Sequence, residues 1–221
     1  MSLSYNTFMK YLTLTILFVC VQISLFAEYK AAVLPISPEI KKRMLTGHSW
    51  HKGCPVSLNE LRYIRMTYHT FKGEEKEGEM IVHEDVAKEV TYIFKLLYNI
   101  GYPVRQMRLV SDFGGSDWQS IEADNTSAFN CRKATGSTHW SKHSYGKAID
   151  LNSIENPYIS RSGHIAHKAS RQYRKRIHKK HTAADKAVLL KNDKAVHIFK
   201  KYGWKWGGDW SGVKDYQHFS K

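Results

Sequence analysis

Cysteine is scarce in this chain: Cys20, Cys54 and Cys131 are the only three in 221 residues, and none stands in a Cys-x-x-Cys pair. A cysteine-based zinc knuckle is therefore excluded. Proline occurs five times and glycine 14 times, against 42% hydrophobic and 24% charged residues. Such a composition rules out collagen-like, coiled-coil and wholly disordered classes. Acidic residues are the minority sign, 20 against 34 Lys and Arg, leaving a formal net charge of +14. That excess favours polyanionic partners (nucleic acid, anionic lipid or an acidic cell wall) without choosing among them. No internal repeat is visible, and the length suits one domain better than two.

One long apolar run is present. Lys10 is the only charge before Glu28, and YLTLTILFVCVQISLFA lies between them. A basic start, a short apolar core and Ala27 before the first acid read as a secretory signal over residues 1–27. An uncleaved N-terminal anchor is the rival reading, and either one exports the remainder, residues 28–221. Cys20 sits in LFVC without the small residues that lipidation would want. In an oxidising compartment Cys54 and Cys131 either pair or stay free, and sequence alone leaves both open.

Along 61–71, Ile64, Met66 and Tyr68 alternate with Arg65, Thr67 and His69, which predicts a half-buried strand. KGEEKEGE at 72–79 reads as a solvated turn. Residues 84–99 predict a helix, with Glu84 and Asp85 at its start and Val86, Val90, Ile93, Phe94 and Leu97 as one stripe. RQMRLV at 105–110 reads as a strand, 111–147 as a long functional loop, 148–152 as a short strand and 193–202 as a helix. Strands mixed with two helices, without regular βαβ alternation, suggest a single α+β domain. The tract at 161–180 is strongly basic and looks like an insertion. It reads as a solvated or mobile loop, a nucleic-acid patch, or a contact with anionic wall polymer or membrane; export disfavours nucleic acid. The histidines at 164, 167, 178 and 181 have no acid close in sequence.

Two segments carry chemistry. Ser141-Lys-His143-Ser-Tyr-Gly146-Lys-Ala148-Ile-Asp150 supplies an imidazole and a carboxylate seven positions apart, and Asp215-Tyr-Gln-His218 supplies another pair three apart. Asp150 lies in an apolar strand, where a carboxylate is costly unless it is paired or binds a metal. A catalytic zinc takes three nitrogen or oxygen ligands and leaves one position open. His143, Asp150 and His218 would make such a set, with Asp215 near enough in sequence to take a proton from water. His and Asp are common, so spacing alone leaves zinc as one reading among several. His139 stands four residues before His143, but Gly-Ser-Thr-His-Trp-Ser does not look helical, so support of a ligand, substrate contact or plain surface is preferred to ligation.

Together with Trp204-x-Trp206-Gly207-Gly208-Asp209-Trp210 and Asp215-x-x-His218-Phe219, the first segment resembles the VanY-type D-alanyl-D-alanine carboxypeptidase and L-Ala-D-Glu endopeptidase family of zinc metallopeptidases. The resemblance runs from about residue 125 to 221. It implies a small antiparallel sheet flanked by helices, with one zinc ion on the sheet in a hedgehog or D-Ala-D-Ala peptidase-like arrangement. It makes His143, Asp150 and His218 the ligands, Asp215 the general base, and Arg132 the group beside the scissile carbonyl. Ser141, Asp209 and Trp206 are supporting or substrate-contacting candidates. Asp209 either orients a ligand histidine or is an exposed turn acid, while Trp204, Trp206 and Trp210 are read as packing in preference to sugar stacking. The expected substrate is the peptidoglycan stem peptide, in the periplasm or cell envelope. The alternative is a non-catalytic, zinc-containing wall-binding module.

Overall fold

The alternating stretch at 61–71 becomes a central strand because partners flank it on both sides. The computed structural model describes residues 28–177 and 181–221, so the signal or anchor at 1–27 and His178 lie outside the described residues. β1 (Ala31–Pro35), α1 (Pro38–Thr46), β2 (Leu61–His69) and β3 (Glu75–His83) come first, and the strands pair antiparallel in the order β1-β2-β3. The acidic 72–79 segment is a turn only at its start. From Glu75 it is strand: Glu75 and Glu77 are exposed, Gly78 packs under Met107, and Glu79 accepts from Arg43.

α2 (Glu84–Asn99) follows directly, and His83 Nδ1 accepts the Asp85 N–H at its start. Its predicted stripe (Val86, Val90, Ile93, Phe94, Leu97) is buried against Ile64, Met66, Met80 and Val82. Past α2 the regular elements shorten: β4 (Gln106–Met107), α3 (Asp117–Glu122), β5 (Asn125–Thr126), β6 (Ala148–Asp150), β7 (Tyr158–Ile159), α4 (Ala183–Ala187), α5 (Lys194–Lys201), β8 (Lys205–Trp206), β9 (Lys214–Asp215) and β10 (His218–Ser220). A second antiparallel sheet has the order β6-β10-β8, β4 pairs parallel with β5, and β7 pairs antiparallel with β9. The domain is thus α+β with several small sheets instead of one. Among the described residues no helix is long and apolar enough to cross a membrane.

The 105–110 strand and the 111–147 loop both need correction. β4 ends after Met107 because the Asn125 side chain takes over: its Oδ1 accepts the Arg108 N–H and its Nδ2 donates to the Arg108 carbonyl, both at 2.9 Å. The expected loop contains α3, β5 and tight 3-10 turns. Fully buried asparagines stand in for ladder bonds through this half of the chain. Asn152 accepts the Arg105 N–H and donates to the Pro103 carbonyl. Asn156 donates to the carbonyls of Leu151, Asn152 and Ala187 and accepts the Leu189 N–H. Buried backbone groups need partners, and here amide side chains supply them.

The basic tract is not simply a solvated loop. Lys168–Arg174 is a 3-10 helix, and Arg176 turns inward to donate to Asn156 Oδ1 and to the carbonyls of Glu155 and Leu189. His167 does have an acid: it meets Glu122 at 2.6 Å and packs on the Trp118 ring at 4.0 Å. Beside Arg176, Glu155 is 1% exposed and its Oε2 has no hydrogen-bond partner. Burial, then the neighbouring Asp124 charge, push its carboxyl up to about 9.

Two outcomes are expected. Asn156→Ala strands several buried backbone groups at about 1–3 kcal/mol each. A loss near 3 kcal/mol would lower the thermal midpoint by roughly 6–12 °C, read by circular dichroism; a shift under about 2 °C would contradict the clamp. Glu155 keeps its proton in the folded state above the pH where the unfolded chain releases it, so its contribution to stability is whole at acid pH. That contribution is lost as pH rises toward about 9. Denaturant titrations of Glu155→Gln across this window should show a flatter alkaline decline than the parent.

Candidate metal centre

Side chains alternate across a strand, so neighbouring residues face opposite ways. In β6 and β10, Ile149 pairs with Phe219 and Asp150 with His218. Ile149 and Phe219 face the core, where Phe219 stacks on Phe199 of α5 at 3.9 Å. Asp150 and His218 therefore share the other face, with Asp150 Oδ1 3.1 Å from His218 Nδ1.

His143 reaches the pair from a 3-10 turn, Lys142–Tyr145, just before β6. Ser141 caps the turn, its Oγ accepting the His143 N–H at 3.3 Å, so its support is conformational. Gly146 ends it at φ 65°, where a Cβ would lie 2.5 Å from the His83 nitrogen. Both the positive φ and the close approach require glycine there. Ser144 Oγ accepts the Arg132 N–H, which ties the turn to the 130–132 segment.

The Ala128 carbonyl, 2.5 Å from His143 Nδ1, must accept, so that nitrogen carries the proton. His143 Nε2 is left with its lone pair, 3.2 Å from both Asp150 Oδ2 and His218 Nδ1. Burial alone would push the His143 pKa down, but the Asp150 carboxylate outweighs it and raises it. Burial would raise Asp150, yet the two histidines hold it well below the usual carboxylate range. Two nitrogens and one carboxylate, buried and within 4.8 Å of one another, fit a divalent cation of the zinc class. The histidine-to-carbonyl bond is a common way of orienting such a ligand.

Asp215 lies on β9, half-buried, directly across from Tyr158 of β7. Its Oδ1 is buried without a hydrogen-bond partner. Burial pushes its pKa up to about 6; His218 pulls it down and Asp150 pushes it up, so it senses the same charges as the cluster. Gly207 explains part of the tryptophan-glycine motif: a Cβ there would sit 2.4 Å from the Asp215 carbonyl oxygen. Trp206 is buried and its Nε1 donates to the Tyr216 carbonyl at 2.8 Å, while Trp204 Nε1 donates to Glu89 at 2.7 Å. Both pack, as expected, and the Trp210 ring lies 5.4 Å from His218.

Asp209 does not orient a ligand: it is exposed and pairs with Lys200 Nζ at 2.5 Å, because the turn aims it outward. His139 is exposed and outside the cluster. The Arg132 charge reaches His143, and its guanidinium is held 2.9 Å from Asp117 Oδ1 at the start of α3. Sequence reading missed Asp117, Ala128 and Tyr158. Asp117 offered a faint signal as an acid after the Ser116 cap, but a backbone carbonyl and a cross-strand neighbour leave none. Gly207→Ala should push β9 away and cost about 1–3 kcal/mol. A crystal structure of that variant should show Asp215 displaced; an unmoved Asp215 and unchanged thermal midpoint would contradict the contact.

Comparison with curated proteins and with solved structures returned no match. A family model matches residues 135–221, beginning just after Arg132 and taking in His143, Asp150, Asp215 and His218. The family is described as D-alanyl-D-alanine carboxypeptidase, and the match supports the VanY-type peptidase resemblance over that segment.

Proposed function

We propose that this chain is an exported zinc metallopeptidase that hydrolyses an amide bond in the peptidoglycan stem peptide. The bond is either the terminal D-Ala-D-Ala link or the L-Ala-D-Glu link. The observation that carries the reading is Asp215: a buried, partner-free carboxyl oxygen that shares its electrostatic surroundings with His143, Asp150 and His218. His143, Asp150 and His218 would hold the ion, on a scaffold read as hedgehog or D-Ala-D-Ala peptidase-like. A bound zinc supplies Lewis acidity, polarising a carbonyl and making water acidic near neutral pH.

The chain's own groups account for the proton. Asp215 accepts one from the attacking water and returns it to the leaving amine nitrogen as the amide C–N bond breaks. Arg132, held by Asp117, is the donor for the developing oxyanion. The Ala128 carbonyl keeps His143 in one tautomer throughout. Arg161, Lys168, Arg171, Arg174 and Lys175 are exposed around the half-buried Arg176 anchor and suit contact with an anionic wall polymer or membrane.

The test is digestion of purified muropeptides with and without chelator, read by mass spectrometry. Loss of one D-Ala marks a carboxypeptidase, and release of a peptide lacking L-Ala marks an endopeptidase. No chelator-sensitive product from a zinc-loaded chain would remove the reading. Asp215→Ala should keep zinc and lose about 10²–10⁴-fold in kcat, whereas His218→Ala should lose both metal and turnover. The acceptor must be ionised, so rate should fall as pH drops through the Asp215 pKa. That value is about 6 from burial without an ion, and a bound cation draws it lower.

A further inference from the structure

His51, Cys54 and Cys131 form a second cluster of ligand-type side chains, sharing no residue with the first, and their ligand atoms also lie within 4.8 Å of one another. Cys54 and Cys131, 77 residues apart, are joined as a disulfide. The imidazole beside them is oriented in a way that a disulfide does not use. His51 Nδ1 lies 2.9 Å from the Lys52 carbonyl, which can only accept, so Nδ1 carries the proton. Nε2 therefore presents its lone pair, and it points at Cys131 Sγ from 3.5 Å. A disulfide sulfur has no hydrogen to give that lone pair. The His51 main-chain N–H also points at Cys54 Sγ, at 3.2 Å, a bond that strengthens when the sulfur is an anion.

We propose that the reduced chain binds a second cation of the zinc class here, through the Cys54 and Cys131 thiolates and His51 Nε2. A dithiol supplies two electrons and two protons; the S–S bond breaks, two thiols form, and the dithiol leaves as its own disulfide. The cation then displaces both thiol protons to solvent while His51 stays neutral and gives its lone pair. Two thiolates neutralise the divalent charge. Zn–S bonds of about 2.3 Å in a tetrahedron put the sulfurs about 3.8 Å apart. The Cα atoms, 5.8 Å apart, allow this by side-chain rotation. Cys131 is buried, Cys54 partly so, and His51 exposed, which leaves the fourth position toward solvent. The Lys52 carbonyl orients the imidazole as outer partners do at zinc sites.

Cobalt(II) titration distinguishes the two sites, because only thiolate ligation gives a sulfur-to-cobalt charge-transfer band. The full chain carrying Cys20→Ser is reduced with dithiol and freed of it without air. The oxidised chain should show no such band. The reduced chain should take up an additional equivalent with the band, which His143→Ala leaves in place and Cys54→Ser or Cys131→Ser abolishes. His51→Ala should keep some band and weaken binding by at least tenfold, a threshold of order the 10–100-fold seen for outer partners. A folded, reduced chain without the band would overturn the proposal, as would a band indifferent to His51→Ala. A band from a chain whose circular dichroism has collapsed overturns it as well, since the site belongs to the fold.

Discussion

Everything in the C-terminal half depends on a strand pair that is apolar on one side and ionisable on the other. Ile149 and Phe219 are locked against Phe199, and through α5 and α2 to the first sheet, so β6 and β10 cannot slip by one residue without exposing them. That register is what puts Asp150 opposite His218. A carboxylate in so buried a place is tolerable only when it is paired or holds a cation, and His143 and His218 are positioned to serve with it in either way.

The remaining parts of the centre are held by backbone, not by long side chains. The Ala128 carbonyl fixes the His143 tautomer, Gly146 lets the turn meet His83, and Gly207 admits the Asp215 main chain. The separate asparagine clamps keep the irregular loops around this frame in one arrangement. The basic tract follows the same economy, with a single inward guanidinium anchoring several outward charges.

Periodicity made some of this legible. The strand at 61–69 and the helix at 84–99 were readable because apolar spacing and burial coincide there. The 75–79 strand was hidden because Glu75 and Glu77 face water and Glu79 is held by Arg43, so no apolar alternation marks it, and the 105–110 strand was overread because an asparagine side chain, invisible to pattern, cuts the ladder short. The motif spacing named His143, Asp150, Asp215 and His218, which the fold does bring into one electrostatic neighbourhood. Asp209 stayed open between orienting a ligand and lying exposed, because position in a motif says nothing about which way a turn aims its side chain. The absence of Cys-x-x-Cys excluded a local knuckle but could not foresee His51 and Cys54 meeting Cys131 from across the chain.

The separation of these partners has a kinetic side. β2 and β3 are joined by a short turn and α2 follows at once, so their contacts close small loops. Asp150 and His218 are 68 residues apart, and the elements described between them are short, the longest being the eight residues of α5. Loop closure of that length comes late when local contacts are available first. The N-terminal hairpin and helix are then a platform on which the centre condenses, and a nascent chain is without its ligand set until His218 has left the ribosome.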